Sequence, residues 1–389
     1  MTMLAVEREN AYQLKTYKKF PLTVERGEDV WLYTSDGERY LDLYGGHAVV
    51  VTGHCHPRVV DAIRAQAERL IFYSNLVYND VRAEAAQRLM DVAPAGLTKV
   101  FFVNSGAEAN ENALKLARKL TGRPGIISFE GGFHGRTVGA LSATGIKKYR
   151  AASGPLLPDH YFAPFGDLEK TATVMNEEIA GVLVEPIQSL AGVRLASAEF
   201  YQGLRRLCDE HGAMLMYDEV QTGFGRTGEF FFTPQYGVTP DMITLAKGIA
   251  SGVPMGAVLV SDRIAERVGY GDRGTTFGGG PLACAALRAT IEVVQEDRLL
   301  ENVRAQSDYL REQLASLNDI EEVRGLGFLI GIQFKREASI YQQHLLANRI
   351  LTGLSDDPYV LRLLPPLTLQ RRVIDYFLDT LSEIERELT

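Results

Sequence analysis

The sequence has little cysteine, no surplus of positive charge and no long apolar run, and each shortage excludes a class of protein. Three cysteines in 389 residues are too few for a disulfide scaffold. A formal net charge of −8, without any run of lysine and arginine, argues against a surface that coats nucleic acid. No apolar stretch is long enough to span a bilayer, and the first residues lack the pattern of a signal peptide. We therefore expect a cytoplasmic protein that binds neither nucleic acid nor membrane.

Apolar residues make up 46% of the chain, which is enough for a sizeable core. From about residue 56, short apolar runs alternate with segments of helical period. The predicted strands are Val100–Val103, Gly125–Ser128, Gly181–Val184, Met214–Tyr217, Met242–Leu245 and Gly256–Val260, and helices are predicted at Ala107–Leu120 and Ala198–His211. This alternation predicts an α/β fold with a mostly parallel central sheet covered by helices on both faces.

The two ends of the chain have a different pattern. A hairpin is predicted from Val30–Tyr33 and Tyr40–Leu43. The later part of the chain predicts the helices Ala283–Val294 and Leu299–Leu317, a strand pair near Val323–Gln333 and a closing helix Leu369–Glu387. We predict a large domain from residues 56–290. Residues 1–55 are predicted to join a smaller α+β domain formed by residues 291–389.

Polar groups directly follow four of the predicted strands. They are Asn104 to Glu108, Glu185, Asp218 with Glu219, and Lys247. The carboxyl ends of parallel strands meet at one edge of a sheet, where open α/β sheets bind ligands. A lysine in apolar surroundings either extends its amine to solvent or, when desolvated, becomes an amine nucleophile. Asp218 either caps the next turn or keeps a cofactor's pyridine nitrogen protonated.

Three motifs have both a structural and a functional interpretation. The segment 105–108 fits a helix capping box, yet a glycine between a strand and a helix also suits phosphate binding. Gly223 to Gly228 matches a dinucleotide fingerprint, but no helical pattern follows it. The run from His54 to His56 lacks a second ligand pair at a zinc spacing, so a turn before Pro57 is favoured and no metal site is predicted.

Six motifs, in this order, resemble the class III (ω-amino acid) aminotransferases, which use pyridoxal phosphate on the fold-type I scaffold. They are NSGAEANE (104–111), FHGRT (133–137), VEPIQ (184–188), YDEVQTGFGRTG (217–228), AKG (246–248) and TTFGG (275–279). The resemblance covers the chain from Gly27 to Leu381. Within the class, the segments 42–49, 72–75 and 362–367 are most similar to the acetylornithine and succinylornithine branch.

The resemblance implies a role for each matching residue. Lys247 would hold the cofactor and then move the proton at the reacting carbon, while Asp218 would pair with the ring nitrogen. The other implied cofactor-binding residues are Ser105, Gly106, Ala107, Phe133, Glu185, Val220 and Gln221, with Thr276 from the neighbouring subunit. The implied substrate-binding residues are Arg136, Arg362, Tyr73, Thr275 and Leu190. Arg136 would bind the substrate carboxylate, and Arg362 the α-carboxylate of 2-oxoglutarate.

The implied function is transfer of the δ-amino group of N-acetylornithine or N-succinylornithine to 2-oxoglutarate, in arginine biosynthesis, by a homodimer with shared active sites. The alternatives within the class are unacylated ornithine, 4-aminobutyrate or another ω-amine. A racemase or aminomutase would not need 2-oxoglutarate, and a non-catalytic metabolite-binding protein would not need Lys247.

Three positions depart from the family pattern. Ala107 replaces a common threonine, and Gly280 replaces the usual asparagine before Pro281. Leu190 stands where relatives often have a glutamate that pairs with the residue matching Arg362. Leucine cannot form that ion pair, so the sequence does not predict the gating that the pair performs in those relatives.

Overall fold

A mixed sheet lies at the centre of the fold in the computed structural model, which describes residues 5–388. The strands are β1 (Val24–Glu28), β2 (Trp31–Thr34), β3 (Arg39–Asp42), β4 (Lys99–Val103), β5 (Gly125–Phe129), β6 (His160–Ala163), β7 (Ile179–Val184), β8 (Ile187–Gln188), β9 (Arg194–Leu195), β10 (Met214–Asp218), β11 (Met242–Leu245), β12 (Gly256–Val260), β13 (Ile320–Leu326), β14 (Leu329–Phe334), β15 (Ile350–Leu351), β16 (Gly353–Leu354) and β17 (Val360–Leu363).

Helices cover both faces of this sheet and surround the smaller sheets. They are α1 (Ala5–Tyr12), α2 (Gly45–Ala48), α3 (Pro57–Arg69), α4 (Asp80–Val92), α5 (Gly106–Thr121), α6 (Val138–Ala143), α7 (Lys147–Ala151), α8 (Leu168–Val174), α9 (Ala198–His211), α10 (Thr233–Tyr236), α11 (Asp262–Ala265), α12 (Pro281–Glu296), α13 (Leu299–Leu314), α14 (Ala338–Ala347) and α15 (Arg371–Leu388), with a 3₁₀ helix at Lys247–Ala250. None of the described helices is both long and apolar enough to cross a membrane.

The central sheet has the strand order β4-β12-β11-β10-β7-β5-β6. All its neighbouring pairs are parallel except those of β12, which runs antiparallel to β11 and β4. Residues 246–255 connect β11 to β12 without the long crossover that a parallel neighbour requires, so β12 returns in the opposite direction. The predicted α/β fold with a mostly parallel, helix-covered sheet is confirmed.

Continuous burial explains why the strands of this sheet are apolar throughout. Every residue of β5, β7, β10, β11 and β12 is buried. Helix α5 packs on β7, β11 and β12, while α12 packs on α3, α4 and the 3₁₀ helix. A strand that is covered on both faces of the sheet needs apolar side chains on both faces. Its sequence is therefore a continuous apolar run and does not alternate between apolar and polar residues.

Three smaller sheets lie outside the central one, and the smallest of them pairs β8 with β9. β3, near the start of the chain, pairs in parallel with β15, near its end. β13, β14, β17 and β16 form an antiparallel sheet, against which α13 and α14 pack. The division of the chain into residues 1–55, 56–290 and 291–389 stays a prediction. Residues 1–4 of the first part and residue 389 of the last part lie outside the described residues.

Helix boundaries follow from local hydrogen bonds. Ser105 is the N-cap of α5, where its Oγ accepts the N–H of Glu108 at 3.2 Å. The helix predicted to reach Leu317 ends at Leu314, because the next turn closes with a tighter bond from the N–H of Leu317 to the carbonyl of Leu314 (3.1 Å).

Candidate active site

A cavity of about 810 Å³ lies at the carboxyl ends of β4, β7, β10 and β11. It brings together most of the residues predicted from the sequence: Ser105, Gly106, Ala107, Phe133, Arg136, Glu185, Leu190, Asp218, Val220, Gln221, Lys247 and Arg362. Because these strands are parallel, residues more than a hundred positions apart in sequence, such as Ser105 and Lys247, meet at one edge of the sheet.

Lys247 follows the end of β11 and begins the 3₁₀ helix. Its φ of 47° is in the left-handed region, which costs free energy for a residue other than glycine and is found at functional sites. Burial lowers the pKa of its amine to about 8, against the opposing influence of Asp218 and Glu185. The unprotonated amine is the form that attacks a carbonyl carbon. The burial of Lys247 therefore favours a desolvated amine nucleophile over an amine that extends to solvent.

Asp218, at the end of β10, is 3% exposed and held by three donors. Its Oδ2 lies 2.8 Å from Nδ1 of His134 and accepts the amide N–H of Asn110 at 2.7 Å. Its Oδ1 accepts the N–H of Val220 at 3.1 Å. Charge-assisted hydrogen bonds of this kind fix the carboxylate in one orientation.

The sequence analysis did not single out Asn110 or His134. Asn110 lies on the buried face of α5 between Ala109 and Ala113, and Thr244 donates to its Oδ1 at 2.7 Å. In the sequence, Asn110 is recognisable as a polar residue on an otherwise apolar face of a predicted helix. His134 lies within the FHGRT motif, but its position beside Asp218 depends on how two strands pack.

Glu185 lies directly after β7 and is buried in the cavity wall. Burial raises the pKa of its carboxyl group to about 7, while His134 opposes and Asp218 adds to this rise. Its Oε1 accepts the N–H of Phe133 at 2.7 Å. Glu185 therefore fixes the backbone that carries the Phe133 ring.

The start of α5 fits a phosphate group. Its first N–H groups, those of Gly106 and Ala107, belong to the set that a helix leaves without partners inside the helix. A Cβ on Gly106 would lie 2.9 Å from Cγ2 of Val220, so only glycine allows this approach. The Ser105 cap does not use these N–H groups, so the structural and the phosphate-binding interpretations are compatible.

Gln221 fits a hydroxyl group of a ring-shaped ligand. Its Oε1 is buried in the cavity wall and accepts no hydrogen bond from the described residues. A buried oxygen without a donor costs free energy unless a bound group satisfies it. Together with the carboxylate of Asp218 and the amine of Lys247, this oxygen makes the cavity suitable for a phosphorylated pyridine such as pyridoxal phosphate.

Arg136 and Arg362 lie in the same cavity wall, and neither forms an ion pair with a carboxylate of the described residues. The guanidinium of Arg136 lies 3.9 Å from the ring centroid of Tyr149. Arg362 is 2% exposed, and burial lowers the pKa of its guanidinium. Among the described residues that line the cavity, Glu185 and Asp218 are the only acidic ones, and both already accept hydrogen bonds.

Further groups that the sequence analysis missed also line the cavity. Tyr17 and Lys18 come from the segment before β1, and His47 lies in α2. Burial, Lys247 and Arg362 lower the pKa of the His47 imidazole to about 4, so this ring is neutral at physiological pH. None of these positions follows a predicted strand of the central sheet, so the polar residues at the strand ends do not indicate them.

Tyr73, Thr275 and Thr276 do not line the cavity of this chain. They lie beside it, where the amide of Asn75 donates to the carbonyl oxygen of Gly278 at 3.0 Å. Tyr73 is 52% exposed, and Thr276 is also exposed. The link from this group to the cavity is a hydrogen bond from Nδ2 of Asn104 to Oγ1 of Thr275 (3.3 Å).

Comparison with known proteins gives the same family. The model of the family "Aminotransferase class-III" matches residues 12–384. An acetylornithine aminotransferase from Methanopyrus kandleri is 44% identical over 388 residues, which are 99% of each chain. The structure of acetylornithine aminotransferase from Elizabethkingia anophelis has a TM-score of 0.85 at 29% identity, covering 98% of this chain and 97% of that one.

A second solved structure connects this fold with a cofactor. Ornithine aminotransferase from Toxoplasma gondii, whose active site holds pyridoxal phosphate at partial occupancy, has a TM-score of 0.90 at 28% identity, covering 98% of this chain and 94% of that one. These matches confirm the resemblance found in the sequence and the expected fold-type I scaffold. Since the family match spans most of the chain, the protein belongs to the class-III aminotransferases.

Proposed function

We propose that the protein transfers the δ-amino group of an N-acylornithine, either N-acetylornithine or N-succinylornithine, to 2-oxoglutarate, in arginine biosynthesis. The observation that carries the proposal is that Arg136 and Arg362 share one cavity with the desolvated amine of Lys247. Two arginines suit a site that binds the carboxylate of the donor and then the two carboxylates of 2-oxoglutarate. The name of the Methanopyrus relative supports the acetyl donor.

The charges of the cavity wall support an acylated donor. Free ornithine carries an α-ammonium group, and burying this charge requires a carboxylate partner. Glu185 and Asp218, the acidic residues among the described lining, are engaged by Phe133 and His134. An acyl group removes the charge of the α-amine, and its apolar surface suits the side chain of Leu190.

Pyridoxal phosphate is the cofactor that we propose for this cavity. When bound, it supplies an aldehyde that takes up the amino group and a ring that withdraws electrons from the reacting carbon. Lys247 would hold it and move a proton at the reacting carbon. Asp218 would face the ring nitrogen and Gln221 the ring hydroxyl, while the N–H groups of Gly106 and Ala107 would bind the phosphate.

The remaining cofactor-binding residues would shape the ring's surroundings. Phe133 and Val220 would lie on the two faces of the ring, and both line the cavity. Ser105 holds the start of α5 in place as its N-cap, and Glu185 holds the backbone of Phe133. These four residues would exclude water from the reacting groups, which strengthens every charge interaction there.

We also propose that the active unit is a cytoplasmic homodimer with shared active sites. Exposed apolar side chains next to the cavity support this arrangement: Leu70, Ile71, Phe72, Tyr73, Leu76, Val77, Tyr78 and Phe277. A group of exposed apolar side chains of this kind marks a surface that another protein covers. In the dimer, Thr276 of one subunit would reach the phosphate in the other, while Tyr73 and Thr275 would line the substrate site.

A panel of amino donors assayed with 2-oxoglutarate tests the proposed reaction. The donors are N-acetylornithine, N-succinylornithine, ornithine and 4-aminobutyrate, and glutamate formation is measured. We expect the acylated donors to have the highest kcat/KM. A protein that prefers ornithine or 4-aminobutyrate is another ω-amine aminotransferase, and turnover without 2-oxoglutarate identifies a racemase or an aminomutase.

A further inference from the structure

The guanidinium of Arg362 is buried and donates hydrogen bonds to three neutral oxygens. Its Nε donates to the carbonyl of Leu354 at 2.8 Å, its Nη1 to Oγ of Ser189 at 3.0 Å, and its Nη2 to the hydroxyl of Tyr44 at 2.7 Å. A guanidinium has five N–H donors, so one donor remains on each terminal nitrogen. Two parallel donors are the set that binds a carboxylate in a bidentate manner.

The fold holds Tyr44 firmly in its place. The carboxylate of Asp42, which is 2% exposed, accepts the N–H groups of Tyr44 (2.9 Å) and Gly45 (2.8 Å). On the opposite side, the Tyr44 ring packs on Gly353, where a Cβ would lie 2.0 Å from the ring. Gly353 is the pairing partner of Arg362 between β16 and β17, so the arginine and the tyrosine are placed by the same strand pair.

Ser189 approaches Arg362 from another part of the chain. It follows β8, is fully buried, and its carbonyl accepts the N–H of Val193 at 3.1 Å in a tight turn. The next residue is Leu190, so the turn brings a hydroxyl group to the guanidinium and no carboxylate.

We propose that Tyr44 and Ser189 are positioning residues that hold Arg362 ready for the carboxylate of 2-oxoglutarate without neutralising its charge. The proposal rests on the proposed function, in which Arg362 binds the acceptor. A carboxylate partner would compensate the guanidinium charge and would have to leave before the acceptor binds. Two hydroxyl groups fix the same orientation and leave the full charge to the acceptor.

The test uses Tyr44→Phe, Ser189→Ala and the double variant as holoenzymes. A hydrogen bond to a charged group contributes enough that we expect each single variant to raise the KM for 2-oxoglutarate about tenfold. The rate and the donor affinity of the donor half-reaction, followed in single turnovers, should stay within about twofold. Ser189→Asp adds a carboxylate at the same place, and we expect it to raise the KM for 2-oxoglutarate more than Ser189→Ala does.

Two control variants distinguish a wrong role for Arg362 from a wrong positioning role for Tyr44 and Ser189. Tyr161→Phe makes the same chemical change on an exposed tyrosine of β6 and should leave both half-reactions unchanged. Arg362→Ala tests the underlying role: if it leaves the KM for 2-oxoglutarate unchanged, the assignment of Arg362 under the proposed function fails. If Arg362→Ala raises this KM but Tyr44→Phe and Ser189→Ala do not, the positioning role is wrong. The positioning role is also wrong if Tyr44→Phe and Ser189→Ala slow both half-reactions equally.

Discussion

Asp218 shows how one buried carboxylate depends on residues from three elements. Asn110 on α5, His134 after β5 and Val220 after β10 each contribute one hydrogen bond to it. A carboxylate that is 3% exposed needs such donors, because burial without them costs several kcal/mol. The same bonds fix its position relative to Lys247, which follows the neighbouring strand β11.

Replacement of Asp218 separates cofactor binding from turnover. We expect Asp218→Asn to keep the cofactor but to lower kcat at least about a hundredfold, because a neutral amide cannot stabilise a protonated ring nitrogen. Absorbance reports the bound cofactor, and steady-state kinetics report kcat. Asp36→Asn, in an exposed turn, is the matched control. Near-normal turnover in Asp218→Asn would contradict the assigned role.

The pKa of Lys247 predicts how the apoenzyme takes up its cofactor. Since burial lowers this pKa to about 8, the reactive unprotonated amine increases as the pH rises from 7 to 9. We expect the rate of reconstitution with pyridoxal phosphate to rise about tenfold over this range. Glu185 raises the pKa of Lys247, so Glu185→Gln should move the midpoint to lower pH. A rate that does not change with pH, or a midpoint near 10, would exclude the desolvated amine.

Leu190 is the residue on which the preference for an acylated donor depends. We expect the acylated donors to exceed ornithine at least tenfold in kcat/KM, which corresponds to about 1.4 kcal/mol of transition-state binding. Leu190→Glu adds a carboxylate for the α-ammonium and should narrow this ratio by improving ornithine. The control is Leu190→Gln, because glutamine has the shape of glutamate without its charge. An unchanged ratio in Leu190→Glu shows that another residue determines the preference.

The helices and strands of the central sheet and their mostly parallel arrangement were largely predictable, whereas the direction of β12 was not. The apolar runs located β10 (Met214–Asp218) and β12 (Gly256–Val260) to within one residue. The antiparallel direction of β12 follows from its short connection to β11. The spacing of apolar residues along a strand gives no information about the direction of that strand. The residues after the strands predicted one part of the cavity wall, and the resemblance to the family added Arg136 and Arg362. His134 reaches Asp218, and Tyr44 reaches Arg362, through packing between distant segments.

The two arginines belong to elements that approach the cavity from different sides. Arg136 follows β5 of the central sheet, whereas Arg362 lies on β17 of a smaller sheet. We expect Arg136→Ala to slow both half-reactions, because this residue would bind the carboxylate of donor and acceptor alike. Arg362→Ala should slow only the acceptor half-reaction, by about a hundredfold. Single-turnover absorbance changes measure each step, and equal damage to both steps by Arg362→Ala would refute this division.

At the scale of the whole molecule, many of the exposed large apolar side chains lie in residues 70–78, beside the cavity. Tyr78 and Leu76 are among its most exposed large side chains, at 105% and 90%. Nearby, the ring centroids of Phe72 and Phe277 lie 5.1 Å apart. Thr276 is next to Phe277, so a second subunit that covers this patch would bring the threonine close to the cavity of its partner.

Mixed dimers test whether each active site draws on two subunits. Lys247→Ala and Thr276→Asp should each be inactive, the second because its carboxylate would repel the phosphate. If Thr276 serves the partner's site, a heterodimer of the two variants has one intact site, and random mixing should restore about a quarter of the wild-type activity. Lys247→Ala mixed with Asp218→Asn is the matched control, since both residues line the cavity of their own chain and neither site is intact. Activity equal to this control in verified heterodimers would show that each protomer is self-contained.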